Sequence, residues 1–134
     1  TDSNGYIMGG SGGHSDTAAG SKLSIVVAPL VRARLPLVVD EVICKSTPGS
    51  TIDVVVTQRG IAVNPGKQEL REKLKSAGLP IVEIEELKEM AEKITGIPKS
   101  VTGGSKVVAK VLYRDGSVLD TIKVQTEGTG KRSL

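Results

Sequence analysis

Aromatic residues are almost absent from this sequence. No tryptophan and no phenylalanine occur among the 134 residues, and Tyr6 and Tyr113 are the two tyrosines. Base-stacking platforms for nucleic acids depend on aromatic side chains, so the composition argues against nucleic-acid binding. The core must instead be built from valine, isoleucine and leucine. That composition favours buried strands covered by aliphatic helices.

Cysteine, long apolar runs and charge of one sign are also scarce. Cys44 is the single cysteine, so no internal disulfide can form, and a reducing, cytoplasmic setting follows. Its apolar neighbours indicate a small buried side chain; a catalytic thiol is the weaker alternative, since no activating group is near in sequence. No apolar stretch approaches the ~20 residues that span a bilayer. The net charge of +3 is spread along the chain. We therefore expect no membrane and no nucleic-acid partner.

Glycine, by contrast, is concentrated near the start. Four of the five residues 9–13 are glycine, and the single histidine, His14, follows at once. A glycine-rich loop lets main-chain N–H groups approach a ligand and form an anion site. The segment lacks the Gly-Lys-Ser/Thr ending of a P-loop and the strand and helix context of a dinucleotide site. It predicts an anion-binding loop over residues 1–22, with a mobile terminal tail as the alternative.

The rest of the chain predicts an α/β fold in one unit, residues 1–134. Residues 23–28 predict a fully buried strand, and further strand-like runs occupy 37–39, 42–45, 52–57 and 61–63. Apolar stripes of helical period, each followed by glycine and proline, predict helices at 68–77 and 83–95. Asp115-Gly116 predicts a terminal hairpin within 106–125. The early connections are too short for crossover helices, so some antiparallel pairing is expected.

Several segments together resemble the citrate lyase alpha subunit family. They are TDSNG (1–5), GGHSDTAAG (12–20), IVVAPL (25–30), VVD (38–40), TPG (47–49), DVVVT (53–57), GIAVNP (60–65), IEEL (84–87), LYRDGS (112–117) and VLD (118–120). The segments at 12–20 and 60–65 are the most specific. The chain departs from the family pattern at Ala33, where glycine is expected between Arg32 and Arg34. Because the chain also opens on loop-type residues without a methionine, we expect it to be the C-terminal part of a longer subunit.

The resemblance implies a CoA-transferase-like fold, a mixed sheet with flanking helices. It also implies a citrate acyl-carrier-protein transferase, which converts acetyl-carrier and citrate into citryl-carrier and acetate. The carrier (gamma) subunit bears a CoA-like phosphopantetheine thioester, so this chain is expected to bind no cofactor and no metal of its own. Its expected partners are citrate, acetate, the beta and gamma subunits and the rest of the alpha subunit. Alone, the chain is expected to be inactive.

Two other functions remain open from the sequence. The chain could be a non-catalytic module that binds the carrier or a partner subunit. It could also belong to a related CoA-transferase or CoA-thioester hydrolase, which would share the glycine-rich loop. The identity of the acceptor, citrate or water, separates the transferase from the hydrolase.

Candidate catalytic residues follow from the chemistry that the resemblance implies. Acyl exchange passes through oxyanionic intermediates, and main-chain donors aimed at the oxyanion are commonly the largest catalytic contribution. We assign Gly12 and Gly13 to this role. His14 either donates a hydrogen bond to a substrate carboxylate or thioester oxygen, or pins the loop. Asn64 is expected to shape its Asn-Pro-Gly turn, with ligand contact as the alternative.

The candidate substrate-binding residues are polar side chains beside the loop and a pair of arginines. Asp16 is expected to orient His14 or the loop. Arg32 and Arg34 would share one face of an extended segment and could bind citrate carboxylates or a carrier phosphate, with plain solvated arginines as the alternative. Ser11 and Ser15 complete the predicted set.

Overall fold

The computed structural model describes residues 13–98 and 103–125. The helices in this part are α1 (His14–Gly20), α2 (Gln68–Ser76) and α3 (Ile84–Thr95), and a 3₁₀ turn covers Gly49–Thr51. The strands are β1 (Ile25–Val27), β2 (Val31–Arg32), β3 (Leu35–Pro36), β4 (Val54–Thr57), β5 (Gly60–Val63), β6 (Gly103–Leu112) and β7 (Val118–Gln125). Within these described residues, no helix has the length and apolar character needed to cross a membrane.

The main sheet has the strand order β1-β4-β5. Strand β1 is parallel to β4, with Ile25 opposite Val54, whereas β4 and β5 form an antiparallel hairpin. Two smaller antiparallel pairs, β2-β3 and β6-β7, complete the strands of the described part. The mixed α/β architecture, the antiparallel early pairing and the terminal hairpin are therefore confirmed.

Helix α3 covers the core. Its start is fixed by a capping box, in which the Glu83 side chain accepts from the main chain of Glu86 while the Glu86 side chain accepts from the Glu83 amide. Its apolar stripe places Leu87 and Ala91 at 0% exposure, packed with Leu30 and Ala62. Because α3 packs against β2, β3 and β5, it ties the small hairpin to the main sheet.

Two local predictions were wrong. Strand β1 is not fully buried, because Ile25 and Val27 are 51% and 77% exposed. It forms one edge of the sheet, away from the β5 side where α3 packs. The strand-like runs between residues 37 and 45 adopt bends instead of strands. Side-chain contacts hold that segment: Lys88 Nζ lies 2.6 Å from Asp40 Oδ1, and the Lys45 amide donates to Asp120 Oδ2 at 2.6 Å.

Candidate active site

A short helix occupies part of the segment predicted as a glycine-rich loop. Gly13 is the N-cap of α1, and its carbonyl accepts hydrogen bonds from the Thr17 amide and the Thr17 hydroxyl, each at 2.8 Å. Asp16 lies in the first turn, where the helix dipole favours a carboxylate, and two alanines follow. The loop prediction over residues 1–22 therefore needs correction at His14–Gly20, which places His14 on the first helical turn.

His14 is held by a threonine distant in sequence. The Nδ1 atom of its exposed ring lies 2.9 Å from Oγ1 of Thr47, 33 residues away. This contact supports the loop-pinning role predicted for His14. It does not compete with a ligand-binding role, because an imidazole has a second nitrogen, Nε2.

Asn64 fixes the turn that follows Thr47. Its Nδ2 donates to the carbonyl oxygens of Ile52 at 2.8 Å and Gly49 at 3.2 Å, and its Oδ1 accepts from the Gly66 amide at 2.9 Å. One amide group thus connects the loop between β5 and α2 to the 3₁₀ turn. The predicted turn-shaping role of Asn64 is confirmed, and the same side chain also holds the 3₁₀ turn, which lies outside the Asn-Pro-Gly turn.

A buried carboxylate, which was not among the residues predicted for the site, supports the same region. Asp53, 6% exposed, accepts from the Ser24 amide at 2.8 Å and lies 3.1 Å from Lys67 Nζ. The Ser24 amide, followed by the Lys67 ammonium, lowers the pKa of Asp53 below its ordinary value. Asp53 therefore joins the chain entering β1 to the start of β4. The available signal was an acidic residue directly before an apolar run of strand length, Val54 to Val56.

The two arginines do not lie on one face of an extended segment, which corrects the prediction. Arg32 ends β2, and Ala33 and Arg34 form the two-residue connection to β3 with φ of 51° and 65°. Positive φ at both central residues is the pattern of a type I′ turn. Both arginines are exposed at the end of this hairpin. Among the described residues, no hydrogen bond or ion pair joins either arginine to His14.

The remaining predicted residues have different positions. Ser15 and Asp16 both lie on α1, where Ser15 is half-buried and Asp16 is exposed. The hydrogen-bond partner of the His14 ring is Thr47 and not Asp16. Ser11 and Gly12 lie outside the described residues. Cys44 is half-buried; burial, and then the nearby Asp120 charge, raise the pKa of its thiol. That direction disfavours a thiolate nucleophile and agrees with the structural role predicted for Cys44.

Together these features define a mixed α/β unit with a polar site between a short helix and a turn. Comparison with known proteins supplies the family. The family model described as "Citrate lyase, alpha subunit (CitF)" matches residues 1–125. The chain belongs to the citrate lyase alpha subunit family, which confirms the resemblance seen in the sequence.

Individual proteins similar to this chain are also described as citrate lyase alpha chains or subunits. The chain is 55% identical to the citrate lyase alpha chain of Klebsiella pneumoniae over 123 residues, 92% of this chain and 24% of that one. It is 53% identical to the Escherichia coli K12 citrate lyase alpha chain over 122 residues, 91% of this chain and 24% of the relative. A Streptococcus mutans crystal structure, described as the alpha subunit of citrate lyase in complex with citrate, has a TM-score of 0.88 and 49% identity, over 93% of this chain and 24% of that one. This chain thus spans about a quarter of these relatives' length.

Proposed function

We propose that this chain is the C-terminal part of a citrate:acyl-carrier-protein transferase, which converts acetyl-carrier and citrate into citryl-carrier and acetate. Family membership across residues 1–125 is the observation that carries the proposal. The Streptococcus mutans relative is described as a complex with citrate, which supports citrate as the acceptor. Water or another carboxylate as the acceptor would instead make the protein a thioester hydrolase or a general CoA-transferase.

The proposed chemistry places charge next to the start of α1. A carboxylate that attacks the thioester carbonyl forms an oxyanion, and each well-placed main-chain donor stabilises such a charge by ~3 kcal/mol. Gly12 and Gly13 are the proposed donors. Gly13 is the N-cap of α1, the end at which helical N–H groups lack intrahelical partners. His14, in the first turn, is proposed to donate from Nε2 to a substrate carboxylate or to the thioester oxygen.

Substrate binding is assigned to two polar residues of α1, to one residue that precedes it in sequence, and to the β2-β3 turn. Ser11, Ser15 and Asp16 are proposed to line the substrate position next to His14. Arg32 and Arg34, exposed on their turn, are proposed to bind citrate carboxylates or the carrier's phosphate through bidentate contacts.

The rest of an alpha subunit is the proposed cover for β1. Three apolar side chains here, Leu23, Ile25 and Val27, are 48%, 51% and 77% exposed. One side of β1 pairs with β4, and the other is an edge of the described sheet. An exposed apolar edge strand is a template for pairing with another segment. The proposed further partners are the beta subunit and the carrier (gamma) subunit, whose phosphopantetheine thioester supplies the reacting group.

The test is acyl exchange by a complete alpha subunit assembled with its beta and carrier subunits. His14→Ala should lower kcat for citryl-carrier formation ~100-fold, the usual effect of removing one oxyanion or substrate donor. Lys93→Ala, at the exposed end of α3, is the matched surface control and should retain activity. Unchanged turnover in the His14 variant would remove this side chain from the mechanism.

A second experiment tests whether this chain alone contains every residue that the exchange reaction needs. The 134-residue chain alone, supplied with acetyl-carrier and citrate, should show no exchange, because the remaining site residues lie elsewhere in an alpha subunit. Rapid exchange by the chain alone would show that the site is self-contained. Binding of the carrier without any turnover, even in the complete assembly, would favour the non-catalytic module.

A further inference from the structure

The contact between His14 and Thr47 joins two segments that the sequence gives no reason to connect. We propose that Thr47 is a positioning residue: its hydroxyl donates a hydrogen bond to Nδ1 of His14 and holds the neutral ring in the tautomer protonated at Nε2. The use of that Nε2–H on substrate rests on the proposed function. The direction of the hydrogen bond, and with it the tautomer, is inferred from that use, whereas the contact itself does not depend on it.

The direction of the bond follows from the substrate contact proposed for His14. A neutral imidazole has one donor and one acceptor nitrogen, and a threonine hydroxyl can serve as either partner. A carboxylate or thioester oxygen can only accept. A histidine that binds such an oxygen through Nε2 must therefore be protonated there, so Nδ1 accepts and Thr47 donates. The partner at one ring nitrogen commonly fixes the role of the other.

The surroundings of Thr47 make it a rigid support. Threonine is branched at Cβ and has restricted χ1, and the following Pro48 has a fixed φ. The Pro48 carbonyl accepts from the Thr51 amide at 3.0 Å and from the Thr51 hydroxyl at 2.8 Å. The Asn64 amide holds the same turn through the Gly49 carbonyl at 3.2 Å. A continuous set of contacts thus runs from the loop after β5 to the ring of His14.

The sequence allows a direct test, because His14 is the one histidine of the 134 residues. An untagged chain labelled with ¹⁵N-histidine gives a single pair of ring nitrogen signals. At a pH where the ring is neutral, we expect a protonated-type Nε2 shift well separated from an unprotonated-type Nδ1 shift. Thr47→Val, which keeps the shape and removes the hydroxyl, should bring the two shifts closer together. Thr47→Ser should restore the separation, and Thr57→Val, at a threonine of β4, should leave it unchanged.

Several results would overturn the proposal. One is a wild-type spectrum dominated by the Nδ1–H tautomer, which decides the matter even if the valine variant fails to fold. Another is an unchanged pair of shifts in Thr47→Val. A third is a serine variant as disturbed as the valine variant, because the hydroxyl would then not be the cause.

Activity separates this inference from the proposed function. In the complete subunit, Thr47→Val should lower kcat about fivefold, the effect of losing one neutral hydrogen bond, with a smaller change in KM. Thr47→Ser should recover most of that loss. If the ¹⁵N shifts behave as expected but His14→Ala leaves exchange intact, the tautomer assignment stands and the catalytic role of His14 fails.

Discussion

The alanine in the β2-β3 turn gives the sharpest test of the backbone. Ala33 has φ of 51° and Arg34 has φ of 65°, and they connect strands in which Arg32 lies opposite Leu35. A residue with a Cβ pays ~1–2 kcal/mol in the left-handed region, whereas glycine is unstrained there. The family resemblance also expects glycine at position 33. We therefore predict that Ala33→Gly stabilises the protein.

The magnitude is the difference between two effects. Relief of ~1–2 kcal/mol in the folded turn is opposed by the greater freedom of glycine in the unfolded chain, ~0.5–1 kcal/mol. The net expectation is ~0.5–1 kcal/mol in the free energy of unfolding. For a chain of this length that corresponds to ~2–4 °C in Tm. Urea and thermal unfolding followed by circular dichroism resolve both quantities.

A second alanine provides the matched control. Ala77 closes α2 with φ of −78° and is exposed, so glycine there relieves no strain. Ala77→Gly should lower the free energy of unfolding by ~0.5–1 kcal/mol through the unfolded-state effect alone. The same substitution should therefore raise the free energy of unfolding at position 33 and lower it at position 77. If Ala33→Gly destabilises as much as Ala77→Gly, the left-handed turn and the reasoning built on it are wrong.

The other predictions concern the core, one close contact and one carboxylate. Leu87→Ala, at a fully buried position, should lower the free energy of unfolding measured in urea by ~2–5 kcal/mol. Ile94→Ala, at a position that is 60% exposed, should lower it by less than ~1 kcal/mol. Equal losses in the two variants would contradict the orientation of α3. Gly60→Ala would place its Cβ 2.6 Å from Val82 Cγ2 and should lower the free energy of unfolding by ~1–3 kcal/mol. A Val82→Ala background should recover the part of that loss caused by the contact, but not the part caused by the φ of +159° at Gly60; fully additive losses would contradict the contact. The pKa of Asp53 is lowered from 3.8 by a main-chain amide and then by a lysine ammonium, so its stabilisation is present above that value and is lost as pH falls through the lowered pKa. Asp53→Asn should therefore unfold more readily than wild type near neutral pH, with a gap that narrows in acid; a gap independent of pH would refute the carboxylate's role.

The sequence predicted the elements whose signals are local. Helices α2 and α3 have apolar stripes, and glycine follows each of them at Gly78 and Gly96, both with positive φ. The Asp-Gly turn likewise marked the β6-β7 hairpin. Helix α1, with 7 residues, is too short to show a period and follows a glycine cluster, so it was predicted as loop. The apolar residues at 37–45 resembled strands, but Val38 packs on the core from a bent segment.

The sequence indicated His14 and Asn64 as residues of the candidate site, but it did not indicate Thr47 or Asp53. His14 was assigned from its place after the glycines, whereas the contact with Thr47, 33 positions further along the chain, exists only in the folded structure. The prediction that the two arginines share one face was wrong for a different reason. Ala-Arg has no glycine, asparagine or aspartate to mark a type I′ turn, so side-chain alternation along an extended segment was assumed.

The supports of His14 are polar contacts made within this chain, whereas the apolar surface of β1 remains exposed. Asn64 and Asp53 bind main-chain groups of the turn and strands around the site, and Thr47 meets the ring directly. None of these contacts needs the exposed face of Val27 to be covered. Positioning of the histidine and catalysis should therefore separate experimentally: the isolated chain should keep the Thr47 hydrogen bond and the Nε2–H tautomer while showing no exchange. If the isolated chain instead lost the Thr47 hydrogen bond and the Nε2–H tautomer, packing against β1, rather than the polar network, would set the geometry of His14.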